Sequence, residues 1–103
     1  MIGSQGLRYL RETMVSDGKG GKKEVTLGDK VDLLPFEETE AGKGDHDYMA
    51  EHCYDLQKRD LGKGPYEIRQ IGHWPCGRIM LYLKTQMSDG AGVYAEEFMA
   101  HNE

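Results

Sequence analysis

Between residues 64 and 98 three apolar runs alternate with clusters of turn-forming residues, and no other stretch restricts the fold as tightly. The runs cover residues 66–71, 79–83 and 93–98. They are rich in β-branched and aromatic side chains, and Gly, Pro, Asp and Ser fill the gaps between them. That pattern predicts consecutive antiparallel strands joined by tight turns. In the first run a period of two places Tyr66, Ile68 and Gln70 on one face, with Glu67, Arg69 and Ile71 on the other. Pro65 fits just ahead of this strand, where its missing N–H breaks no ladder. Residues 79–83 are almost continuously apolar, which suits a central strand covered on both faces.

The first third of the chain reads as further strands. Leu7, Leu10 and Met14 fit a helical face, whereas Leu7, Tyr9, Thr13 and Val15 fit one face of a strand. The turn signal in Ser16, Asp17, Gly18, Gly20 and Gly21, followed by a strand pattern to Leu27, favours strand–turn–strand. Gly28 and Asp29 form the next turn, Val31 and Leu33 alternate with Lys30 and Asp32, and Pro35 ends that strand. Residues 36–62 form an acidic, then Gly-rich insertion. From Asp45 or Asp47, either a good N-cap, Met49, Cys53 and Leu56 recur at helical spacing, and Gly62 supplies a left-handed stop. A long hairpin arm is the competing reading of residues 47–60.

The order of these pieces resembles a known family. Gly28-Asp29-Lys30-Val31, then Gly64 to Ile68, then Gly77 to Leu81, then Gly92 to Phe98 is similar to the strand order of small SH3-like barrel proteins of bacteriophage or bacterial origin. The resemblance implies one mainly β domain over residues 1–103, a small SH3-like antiparallel barrel. Residues 36–62 would be an acidic insertion with a short helix. It implies no particular activity, because that architecture carries many functions.

Charge restricts the partner classes. The 103-residue chain has a net charge of −5. Residues 35–60, with eight acidic and three basic side chains, account for the excess. A duplex-binding protein needs a basic footprint, and none is visible, so direct nucleic-acid binding is not expected. No apolar run approaches the ~20 residues that span a bilayer. The N-terminal residues lack the apolar core of a signal peptide. With only Cys53 and Cys76 in the chain, a cytoplasmic protein with reduced thiols is the expectation.

Chemistry-bearing residues are few. His52 and Cys53 together with His73 and Cys76 contain the donor types of a tetrahedral zinc site. Adjacent residues diverge on a helix or strand, however, so the first pair is poorly arranged for it. Asp45, His46, Asp47, Glu51 and His52 mix carboxylates with imidazoles, but they follow a Gly-rich stretch that offers no preorganisation. Either cysteine as a nucleophile would need an oriented base, and no third residue is identifiable. The Gly-x-Gly repeats lack phosphate-loop spacing and read as turns. The aromatic set is more telling. Trp74 in a hairpin tip, with Tyr66 and Tyr94, matches the side chains enriched at protein interfaces. Trp74 folded back over the end of the barrel is the alternative.

The sequence therefore points to a non-enzymatic interaction module or small accessory or inhibitory protein with no cofactor. Its expected contacts are Trp74, Tyr66 and Tyr94, with Glu37, Glu38, Glu40, Asp45 and Asp47 on the acidic arm. The expected partner is a protein with a basic surface. Two other readings are a self-associating component of a phage or mobile-element assembly, and a small metal-binding protein using the His/Cys pairs.

Overall fold

The computed structural model of the chain describes residues 6–39, 43 and 48–101. Among the described residues the elements run in the order β1 (Arg8–Leu10), β2 (Glu12–Ser16), β3 (Lys22–Thr26), β4 (Lys30–Leu33), α1 (Tyr48–Leu61), β5 (Tyr66–His73), β6 (Ile79–Lys84), β7 (Ala91–Tyr94) and β8 (Phe98–Ala100). Short 3-10 turns at Phe36–Glu38 and Ala95–Glu97 follow β4 and β7. The protein is mainly β, with the helix inserted between β4 and β5. The helical reading of the acidic insertion thus prevails over the hairpin arm.

The strands form one sheet in the order β3-β2-β8-β4-β5-β6-β7, with β1 paired to β5 off that path. All pairings are antiparallel except β2 with β8. The barrel expected from the sequence is a small compact β domain whose sheet curls without closing; β3 and β7 end its main path, and β1 pairs with β5 alone among the described residues. The chain bends at Arg11. Before it β1 pairs with β5, and after it β2 pairs with β3 and β8.

Turn chemistry fixes the early hairpins. Asp17 Oδ1 accepts the backbone N–H groups of Lys19 and Gly21 at 2.7 and 3.0 Å, and these bonds hold its carboxyl below the usual range. Asp29 Oδ2 accepts the Thr26 N–H at 2.8 Å, and Gly28 takes the left-handed conformation (φ 93°) that completes this turn. The backbone of the same turn bonds to Ile68 in both directions, Gly28 N–H to Ile68 O at 2.8 Å and Ile68 N–H to Asp29 O at 2.9 Å. Gly62 ends α1 as expected, with φ 76° and its N–H bonded to Lys58 O.

The core gathers Val15, Val25, Val31, Ile68, Ile71, Leu81, Leu83 and Phe98. Strand β5 departs from simple alternation. Its register with β6 shifts between Ile68 and Gln70. The extra residue, Arg69, turns Ile71 onto the same buried face as Ile68, and both are essentially inaccessible. In β6, Leu81 and Leu83 are fully buried while Met80 and Tyr82 are half-buried, so one face is covered more completely than the other. Phe98 is the largest fully buried side chain, and its ring meets Tyr66 edge-on at 6.3 Å. Phe98→Ala is expected to cost about 3–5 kcal/mol, read as a lower urea midpoint with an unchanged slope.

Candidate functional site

On helix α1, Ala50, Tyr54, Gln57 and Leu61 form a half-buried to buried stripe at i, i+4, i+7 and i+11. The expected stripe, Met49, Cys53 and Leu56, is rotated away: Met49 is 69% exposed, Cys53 is exposed, and only Leu56 is half-buried. The anchors explain this rotation. Leu61 enters the core, the Tyr54 hydroxyl donates to Leu34 O at 2.5 Å, and its ring meets Phe36 edge-on at 5.4 Å.

A cleft separates α1 from β7. One part, about 360 Å³, lies among Phe36, Tyr54, Arg78, Tyr94 and Glu97. A second part, about 420 Å³, is lined by Leu56, Leu61, Met87, Ala91, Gly92 and Val93. Cys53 and Gln57 border both, so the two parts adjoin along the helix. Successive strand residues point to opposite faces. A cavity touched by Ala91, Gly92 and Val93 together therefore runs along the edge of β7.

Carboxylates dominate the charged lining. Glu96 and Glu97 sit in the 3-10 turn after β7, and Asp60 lies on α1. Arg78, the one cation among the described residues of the lining, is committed already: it pairs with Glu96, and its guanidinium carbon lies 3.4 Å from the centre of the Tyr94 ring. Glu97 is half-buried and in no ion pair among the described residues. Burial, and then the charge of Glu96, raise its carboxyl above the ordinary range, against opposing effects from Arg78 and a hydrogen bond from Gln57. Tyr54 is raised too, by burial first and by the nearby charge of Glu37.

Of the contact residues read from the sequence, Tyr94 lines this cleft. Tyr66 does not serve as a surface contact. It is 4% exposed, and its hydroxyl donates to Gly62 O, because the first residue of β5 faces the core. Trp74 is half-buried at the β5–β6 turn, outside the residues lining the cleft. Glu37 and Glu38 are exposed on the turn beside Phe36. Glu40, Asp45 and Asp47 lie outside the described residues.

The His/Cys set is not assembled. Cys53 and His52 are exposed on α1, while His73 ends β5 and Cys76 is exposed in the turn after it. Among the described residues no group of three His, Cys, Asp or Glu side chains is placed to hold a metal ion. Arg78, Glu96, Glu97, Tyr54 and Phe36 were not singled out from the sequence. The signal for the helix wall was the spacing of Ala50, Tyr54, Gln57 and Leu61. Two adjacent glutamates at the end of an uncharged strand were the signal for the other.

Compared with family models, with curated proteins and with solved structures, the chain matches none. Among the described residues no helix is long and apolar enough to cross a membrane.

Glu97 makes the site sensitive to pH. Its folded pKa lies above its unfolded one, so the native state binds more protons between the two and loses stability as pH rises through that window. Glu97→Gln should therefore be more stable than the parent at neutral pH. Urea titrations over a pH series should show this difference closing as the glutamate protonates.

Proposed function

We propose that this protein is a non-enzymatic interaction module, and that the cleft between α1 and β7 receives a basic segment of a protein partner. The charge of the cleft carries this reading. Glu96, Glu97 and Asp60 line it, Glu37 stands beside Tyr54, and the one cation among the described lining residues, Arg78, is held by Glu96 and Tyr94. Rings and aliphatic groups between these charges give area for contact, and opposite charge on the partner supplies orientation and a faster encounter. Under this reading the sequence-level resemblance describes a small binding module of phage or bacterial source. It acts in the cytoplasm, where its two exposed free thiols stay reduced.

Two-dimensional NMR with peptide pools tests the proposal. A pool enriched in Lys and Arg should shift the amides of α1 and β7, a pool enriched in Asp and Glu should not, and about 0.5 M salt should weaken the response. Shifts confined to other surfaces, or an equal response to both pools, would show that the cleft is not the contact site.

A further inference from the structure

The two ends of the sheet's main path differ. Strand β3 ends the sheet with Lys22, Lys23 and Glu24, all exposed, and such charges discourage another strand from pairing. Strand β7 at the other end has the sequence Ala91-Gly92-Val93-Tyr94, with neither a charge nor a proline. It pairs with β6 alone among the described residues, so the backbone groups on its outer edge have no ladder partner there. The cleft runs along that open edge, with the half-apolar side of α1 as its opposite wall.

Resting on the reading above, we propose how the partner binds: an extended segment adds to β7 as a further antiparallel strand, seated between β7 and α1. Main-chain bonds to β7 supply general affinity in this mode, and pockets for alternate side chains supply selectivity. The antiparallel direction continues the β5-β6-β7 meander and gives the better ladder.

Direction fixes the order of side chains. An antiparallel segment begins at the Tyr94 end of β7 and finishes at the Ala91 end. Its first residues therefore meet the part of the cleft that holds Glu97, walled by Phe36, Tyr54 and Tyr94. A Lys or Arg there pairs with the half-buried Glu97 carboxylate, which is in no ion pair among the described residues, and lays its aliphatic stem against the rings. The later residues meet Leu56, Leu61, Met87 and Val93, which suit an aliphatic side chain. The recognised segment thus carries a cationic residue first and an aliphatic one a few positions later. Because the incoming cation pairs with ionised Glu97, binding should weaken as pH falls through the raised pKa of that group.

Labelled peptides of about eight residues, roughly one strand plus flanks, test this. The parent carries Arg near its start and Val or Leu after it; the controls are the reversed sequence and two forms N-methylated on one or the other alternate set of amides. Strand addition predicts that one methylated set loses about tenfold or more in affinity and the other binds normally, since only one set faces β7. The reversed peptide should bind more weakly, and Glu97→Gln should remove about tenfold of the preference for Arg over norleucine at the first position. The variant's dispersed amide spectrum serves as the control for folding. Equal tolerance of both methylated sets, with basic peptides still shifting the cleft, overturns strand addition and leaves the interaction module standing. Failure of every peptide, with light scattering showing a dimer whose β7 amides exchange slowly, overturns both readings in favour of pairing between two copies.

Discussion

Strand β5 is the member on which the other layers depend. One of its edges is shared: Tyr66 and Glu67 pair with β4, and residues 71–73 pair with β1. Its other edge carries β6 over nearly its whole length. A strand serving three neighbours cannot stay flat, and the bulge at Arg69 supplies the bend. The same bulge aligns Ile68 and Ile71 on one side, so the strand that bends the sheet also provides two central side chains of the core. Phe98 from β8 closes over this face, and β8 in turn joins β2 to β4.

That arrangement leaves β6 and β7 extending past the curl, with α1 lying across from them. The helix is held by a few anchors, Leu61 in the core and Tyr54 on Leu34 and Phe36, and the space between the helix and β7 is only partly filled. A carboxylate in that space is costly to a free protein, since burial opposes ionisation and no cation pairs with it among the described residues. Arg78, stacked on Tyr94 and paired with Glu96, forms a fixed wall of the same space.

Most strands were legible because their signals are local. Alternation in residues 30–33, the Gly28-Asp29 turn and the apolar runs after Pro65 each need only a few neighbours to be understood. The helix was legible as a helix, but its buried face was not. Met49, Cys53 and Leu56 look more apolar than Ala50, Tyr54 and Gln57, yet Tyr54 has both a ring to pack and a hydroxyl to bond, and Leu61 fixes the rotation. Tyr66 was misread for a related reason. An aromatic near a strand's start looks the same in sequence whether it faces the core or solvent, and only the pairing of β5 with β4 decides. That the sheet stays open was not legible, because the motifs describe strands and not whether the first and last of them meet.

Spacing, turn residues and charge along the chain determined that this protein is mainly β, that a helix interrupts it, and that its acidity is concentrated in residues 35–60. These properties depend on contacts within a few residues of one another. The tertiary structure alone decided that Glu97, Tyr94, Arg78 and Tyr54 share one space, and that β7 rather than β3 presents an uncharged edge to it. Those facts depend on strand order and helix rotation, which arise from side chains far apart in sequence filling one core together.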